Sequence, residues 1–167
     1  NYKKKISEPW HYEFNDIFLN YRMSDINASL GISQLKQINK IIAKKILLAN
    51  FYRKNIIKFN LPVSIISDNN FSNHSYHLFV ILIDFKKLKI SKKILINNLK
   101  KHKIFTQVHY IPLHTHPYYK KLYNQISNFK NAKKYYDSAL SLPLYYSLTF
   151  QDILFILKIL LINLIKN

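Results

Sequence analysis

The chain has 167 residues, which fits one domain with a buried core, and 49% of them are hydrophobic, which excludes a disordered chain. It has no cysteine, so disulfide scaffolds and thiolate metal sites are excluded, and we expect a cytoplasmic protein. The net charge is +18, but 24 lysines accompany only two arginines, 25 isoleucines and 18 asparagines, a composition typical of an AT-rich coding sequence.

This composition bears on nucleic-acid binding. A basic chain with 13 tyrosines could neutralise phosphates and stack on bases. The lysines, however, are scattered along the whole chain, and arginine, which suits bidentate and stacked contacts, is nearly absent. We therefore expect no nucleic-acid partner, although a basic nucleic-acid-binding protein stays open as the least favoured reading.

The first predicted elements are an irregular lead-in and a long helix. Residues 1–19 form the lead-in and carry an aromatic group, Trp10, Tyr12 and Phe14, that we expect to be buried. Ser24 is a good N-cap, and apolar residues then recur near helical spacing to about residue 55. Gly31 interrupts this helix without ending it, and we expect close packing against another backbone as its reason.

The rest of the chain alternates strands and helices. We predict strands over residues 77–84 and 104–111, and helices over 91–102, 117–124, 130–141 and 151–166, the last capped by Thr149. The final helix contains a largely apolar segment of 13 residues, ILFILKILLINLI, which is broken by Lys158 and Asn163 and is shorter than the ~20 residues of a membrane span, so we expect no membrane partner.

Together these elements predict an α/β fold with a long N-terminal helix and a small sheet flanked by helices. A helix of about thirty residues is long for a small domain. We therefore expect part of it to lie against a larger body outside this domain.

Histidines are the most chemically informative side chains. His74 and His77 flank the start of a predicted strand, and His109, His114 and His116 cluster around a proline. A zinc site would need three or four converging ligands, and no carboxylate or thiolate accompanies them, so we expect no metal. A polar wall that contacts a ligand is the favoured reading, since binding groups concentrate where strands end in loops.

Four blocks in this order resemble one enzyme family: NYRMSDINASLGISQL, HSYHLFVILID, TQVHYIPLHTHPYY and AKKYYDSALSLPLYYSLT. They are similar to the C-terminal part of the DegT/DnrJ/EryC1/StrS sugar aminotransferases, which use pyridoxal phosphate. The PWHYE stretch at residues 9–13 resembles the branch that aminates UDP-linked 4-keto-6-deoxy sugars on the way to pseudaminic acid.

The resemblance implies a fold and site residues. The fold is the small domain of an aspartate-aminotransferase-like enzyme (fold type I), dimeric, with active sites built from both subunits. Asn20 would reach the phosphate of the cofactor held by the neighbouring subunit, and Arg22 the sugar-nucleotide side of the pocket. His109 and Tyr110 would line that same side, and no catalytic residue is assigned.

The resemblance also implies what this chain can do. Residues 1–23 would lead in from a large domain that carries the cofactor-binding lysine, and residues 24–167 would form the small domain. The full enzyme would move an amino group from glutamate to a UDP-linked keto sugar, and we expect this portion to be inactive alone. A non-catalytic module that binds sugar nucleotides or dimerises is the alternative, so whether the chain is itself an enzyme stays open.

Overall fold

The computed structural model describes residues 16, 19, 21–66, 74–122 and 129–165, which form two compact units, Asn1–Gln37 and Ile38–Asn167. Within this part, the elements are α1 (Asp25–Lys58), β1 (Ser64–Ile65), β2 (Phe79–Leu82), α2 (Lys92–Lys101), α3 (Pro117–Leu122), α4 (Lys130–Ser138), β3 (Ala139–Leu142) and α5 (Phe150–Ile165). A 3-10 turn, Leu113–Thr115, precedes α3. The predicted aromatic lead-in, Trp10, Tyr12 and Phe14, lies outside the described residues.

Helix α1 begins where the sequence predicts. The backbone N–H of Asn27 donates to Ser24 Oγ at 3.3 Å, which confirms Ser24 as the N-cap. The helix continues one turn beyond the predicted end. It closes where the N–H of Leu61 donates back to the carbonyl of Ile56 at 3.1 Å, with Asn60 in the left-handed region at φ 48°.

Burial along α1 changes sharply between its two ends. The buried residues all lie in its C-terminal half: Leu48, Ala49, Tyr52, Asn55 and Ile56. Apolar side chains nearer its start are exposed, including Ile26, Leu30 and Leu35. Apart from its chain neighbours and the backbone of its own helix, no described atom lies within 4 Å of the position that a Cβ at Gly31 would take, so the close packing expected at this glycine is not made within the described part of the chain.

The sheet differs from the predicted pair of strands. It is antiparallel, in the order β1-β2-β3, with Ser64 opposite Leu82 and Val80 opposite Ser141. The predicted strand 104–111 is wrong, because only Gln107 pairs there, in an isolated bridge with Ser141. Pro143 directly follows β3, two residues after Ser141, and has no N–H to extend the pairing in that direction.

Strand β3 replaces the end of a predicted helix. Residues 130–141 were expected to be helical, but α4 stops at Ser138 and Ala139–Leu142 form β3, all four of them buried. The pairing with β2 decides the conformation of this segment, since burial against a neighbouring strand overrides local helical preference.

The core of the second unit joins the C-terminal half of α1, the sheet, α2 and α5. Its large buried side chains include Tyr52, Ile81, Leu99, Leu140 and Leu157. Between α2 and α5, Asn98 Nδ2 donates to Asn163 Oδ1 at 3.0 Å, which satisfies polar groups at this contact. Within the described part of the chain, no helix is long and apolar enough to cross a membrane.

Candidate functional site

The structure describes three of the four residues that are predicted to form the site. Asn20 lies outside the described residues. Arg22 is exposed and lies three residues before the start of α1, in the first unit. His109 and Tyr110 belong to the second unit and are joined by a cis peptide bond.

One cavity in the second unit contains His109. Its volume is about 670 Å³, a size typical of small-molecule sites. The residues that line it come from the segment before β2, the turn after α2, the segment around Gln107, strand β3 with the loop after it, and the start of α5. They are His77, Leu78, His102, Lys103, Ile104, Phe105, Gln107, His109, Ser141, Leu142, Pro143, Leu144, Tyr145, Leu148, Asp152, Phe155 and Ile156.

The side chain of His109 is held by the sheet. Its Nδ1 lies 2.8 Å from the Oγ of Ser141, which is only 5% exposed. The backbones of Ser141 and Gln107 exchange two hydrogen bonds, of 3.1 and 2.8 Å, so the segment that carries His109 is fixed beside β3. A histidine anchored through one ring nitrogen can present the other to a ligand.

Other polar groups line the same cavity. His77, His102, Lys103 and Gln107 are among them. Phe105 and Phe155 provide apolar surface beside these donors. A few polar groups set in an apolar lining can orient a ligand that has both polar and apolar parts.

The carboxylate in this cavity has a structural partner. Asp152 Oδ2 accepts hydrogen bonds from Thr149 Oγ1 at 2.7 Å and Thr149 N at 2.9 Å, while Asp152 N donates to Thr149 Oγ1 at 3.1 Å. These reciprocal bonds confirm Thr149 as the cap of α5. The bond from the Thr149 hydroxyl, followed by that from its backbone, lowers the pKa of Asp152.

Tyr52 of α1 supports the loop behind the cavity. Its hydroxyl donates to the carbonyl of Pro143 at 3.0 Å, and its ring stacks on Phe79 with centroids 4.7 Å apart. Burial raises the pKa of Tyr52 well above its ordinary value, and electrostatic interactions with Tyr145 and Asp152 add to the rise. Tyr52 is therefore a neutral donor that fixes the backbone of Pro143.

Tyr110, His114 and His116 do not line this cavity. Tyr110 is 72% exposed and is not among the lining residues, although its ring stands edge-on to His109 at 4.6 Å. The ring of His114 packs on Phe129, and His116 Nε2 lies 3.4 Å from the carbonyl of Ile111. Among the described residues, no three histidine, cysteine or acidic side chains are arranged to hold a metal.

Ser141 and Gln107 are site residues that the sequence does not reveal as such. Ser141 is 32 residues from His109 in the chain, and only the pairing of its strand brings them together. The only sequence signal for them is that Gln107 lies in the block TQVHYIPLHTHPYY and Ser141 in the block AKKYYDSALSLPLYYSLT, both of which resemble the family.

A second, shallower cavity surrounds Lys92. Its Nζ donates to the carbonyl of Tyr136 at 2.6 Å and lies 5.1 Å from the centroid of the Tyr136 ring and 5.9 Å from that of Phe85. Burial lowers the pKa of Lys92, while the Asp137 carboxylate raises it. These contacts tie α2 to α4 and leave the ammonium group engaged.

Comparison with known proteins gives these features a context. The model of the DegT/DnrJ/EryC1/StrS aminotransferase family matches residues 3–160. The chain is 34% identical over 154 residues to the UDP-4-amino-4,6-dideoxy-N-acetyl-beta-L-altrosamine transaminase of Campylobacter jejuni, covering 92% of this chain and 39% of that protein. It is 34% identical over 147 residues to the spore coat polysaccharide biosynthesis protein SpsC of Bacillus subtilis, with 86% and 37% covered.

Solved structures agree with the sequence relatives. PseC of Helicobacter pylori, an aminotransferase involved in the biosynthesis of pseudoaminic acid, matches with a TM-score of 0.85 at 28% identity, over 96% of this chain and 42% of PseC. A putative sugar aminotransferase of Streptococcus pneumoniae in its PLP-form matches with a TM-score of 0.83 at 22% identity, over 94% and 40%. The expected aminotransferase α/β fold is thereby confirmed.

These matches cover most of this chain but a minor share of each relative. The chain spans about 40% of the length of the curated relatives that it matches. The family model covers nearly all of the chain, including the segments that carry Arg22 and the cavity. The chain belongs to the DegT/DnrJ/EryC1/StrS aminotransferase family.

Proposed function

We propose that this chain forms the C-terminal portion of a pyridoxal-phosphate-dependent aminotransferase that acts on a nucleotide-linked sugar. Glutamate is the amino donor, and the acceptor is a UDP-linked 4-keto-6-deoxy sugar. The observation that carries the proposal is the cavity that holds His109 against Ser141, in a chain that belongs to this family. The name of the Campylobacter relative supports the UDP-linked substrate.

The chemistry of the cavity suits part of a sugar nucleotide. Its volume of about 670 Å³ is large enough for a nucleoside or a sugar ring. His109 and Gln107 supply hydrogen-bonding groups for hydroxyl or carbonyl oxygens, and Lys103 supplies a positive charge for a phosphate. Phe105 and Phe155 offer aromatic surface to a base or to the apolar face of a sugar.

Arg22 and Tyr110 are the other two residues that we propose to contact the substrate. A guanidinium binds a diphosphate in bidentate fashion, and Arg22 is exposed ahead of α1. Tyr110 is exposed and adjoins His109, so its ring is accessible to a ligand. In this proposal both residues contact the sugar nucleotide.

The cavity around Lys92 does not by itself fit the cofactor. Pyridoxal phosphate supplies the electron sink for amino transfer and needs both a lysine and a phosphate cradle. Lys92, which lines a cavity together with Asp137, has its ammonium group already tied to the Tyr136 carbonyl. We assign the cofactor mainly to the large domain of the full enzyme, with Asn20 contributing a phosphate contact.

The proposal includes the domain boundaries and the oligomeric state of the full enzyme. Residues 1–23 lead in from the large domain and residues 24–167 form the small domain of a cytoplasmic homodimer. Exposed apolar side chains near the start of α1, such as Ile26, Leu30 and Leu35, support an additional protein surface beside this helix. The same exposure is compatible with the alternative function, a non-catalytic module that dimerises or binds sugar nucleotides.

Titration of the purified chain with UDP, followed by NMR, tests the binding side of the proposal. We expect UDP to perturb the resonances of His109 and Gln107, and His109→Ala to weaken binding about fivefold, the cost of one hydrogen bond. His114→Ala is the matched control, because His114 packs on Phe129 and does not line the cavity. Equal effects of the two substitutions, or no response to UDP, would contradict the assignment of the cavity.

A further inference from the structure

Ser141 occupies an unusually constrained position beside the cavity. It lies on β3, opposite Val80 of β2, and on its other edge it exchanges two backbone hydrogen bonds with Gln107. Its side chain is only 5% exposed, and its Oγ lies 2.8 Å from His109 Nδ1. The serine is therefore fixed on both edges of its strand while its hydroxyl contacts the histidine ring.

The surroundings of the Ser141 hydroxyl indicate which of the two groups donates this hydrogen bond. A buried hydroxyl needs an acceptor for its proton. Within the described part of the chain, His109 Nδ1 is the only hydrogen-bond partner of Ser141 Oγ. The hydroxyl therefore donates to Nδ1, and in the neutral ring the proton is carried by Nε2.

We propose that Ser141 is a positioning residue, which holds the His109 ring with Nε2–H as a donor toward an acceptor oxygen of the bound sugar nucleotide. The function of this donor rests on the proposed function of the cavity. The edge-on ring of Tyr110, 4.6 Å from His109, limits rotation of the imidazole from another side. The ring is thus oriented before a ligand arrives, which reduces the entropy lost on binding.

A serine beside a histidine can also form a nucleophile and its base, but this pair lacks the third component. In such sites another group orients the base through its second nitrogen. No described residue hydrogen-bonds His109 Nε2, and Ser141 is nearly inaccessible. The arrangement favours a serine that orients the histidine over a serine that attacks a substrate.

The nitrogen-15 shifts of the His109 ring, measured on the full chain above the pH range in which histidine is charged, test this assignment. We expect Nδ1 to be unprotonated, Nε2 to be protonated, and the ring carbons to relax as a rigid group. Ser141→Ala should mix the two tautomers and increase ring motion, while Ser141→Thr, which keeps the hydroxyl, should restore the wild-type pattern. Ser64→Ala is the matched control, since Ser64 is an exposed strand serine.

Two results would overturn the proposal: a protonated Nδ1 in the wild-type chain, or unchanged shifts and ring motion in folded Ser141→Ala. If the alanine variant fails to fold, the wild-type shifts decide alone. UDP affinity separates this proposal from the proposed function. A fivefold to tenfold loss in Ser141→Ala supports both, whereas the expected tautomer without any UDP binding supports the role of Ser141 in orienting the ring and contradicts the function of the cavity.

Discussion

Replacing Tyr52 with phenylalanine tests how α1 supports the cavity. The substitution keeps the stacking on Phe79 but removes the hydrogen bond to the Pro143 carbonyl, which is 3.0 Å long. A typical hydrogen bond contributes about 0.5–1.5 kcal/mol, so we expect Tyr52→Phe to lower the free energy of unfolding at pH 7 by about 1 kcal/mol.

The raised pKa of Tyr52 also predicts that the stability difference between the wild type and Tyr52→Phe changes at alkaline pH. The folded-state pKa of Tyr52 is raised above the ordinary value of 10.0, mainly by burial, so its contribution to stability is complete below pH 10 and is lost as the pH rises. At pH 11 the unfolded chain ionises at this tyrosine, which costs the wild type about 1.4 kcal/mol. Phenylalanine does not ionise, so the difference in stability between the two proteins should disappear or reverse.

Urea unfolding of both proteins at pH 7 and pH 11 measures this difference, and the other tyrosines and lysines cancel in the comparison. Tyr118→Phe is the control, because Tyr118 is 67% exposed, and it should show no comparable shift. A stability difference that stays constant between the two pH values would refute the assignment of Tyr52 as a buried neutral donor.

Three further predictions concern other parts of the molecule. Thr149→Ala should lower the free energy of unfolding by about 1 kcal/mol, because the cap of α5 is lost, and equal stability of Thr149→Ala and the control Ser147→Ala would contradict this. In the wild type, the contribution of Asp152 to stability should be lost as the pH falls through its lowered pKa. Lys92→Met should cost about 1 kcal/mol in urea unfolding and Lys93→Met, at an exposed position, much less. Binding of duplex DNA, measured by fluorescence anisotropy, should be weak and lost at physiological salt, whereas sub-micromolar, sequence-selective binding would contradict a compositional origin of the charge.

The long helices could be predicted because their signals are local. Ser24 and Thr149 are polar caps followed by apolar residues at helical spacing, and both helices begin beside them. The predicted strand 77–84 contains β2, and the predicted helix 91–102 contains α2. In each case the residues that determine the element lie within or next to it.

The third strand and the site depended on contacts between distant segments. Residues 139–142 continue a helical pattern, and only pairing with β2 makes them a strand. Residues 104–111 do not form the predicted strand, and Pro143, directly after β3, has no N–H to extend their pairing past the Gln107–Ser141 bridge in that direction. His109 was identified through its motif, whereas its bond to Ser141 became visible only in the folded chain.

Amino transfer by a chimera tests the central claim most directly. Residues 9–167 of this chain would replace the matching C-terminal portion of the Campylobacter transaminase, and transfer from glutamate to that enzyme's UDP-linked keto sugar would be measured. The account predicts turnover by the chimera, none by this chain alone, and a higher KM in the chimera when Arg22 is replaced by alanine. A folded chimera that retains pyridoxal phosphate but transfers no amino group, or turnover by this chain alone, would contradict it.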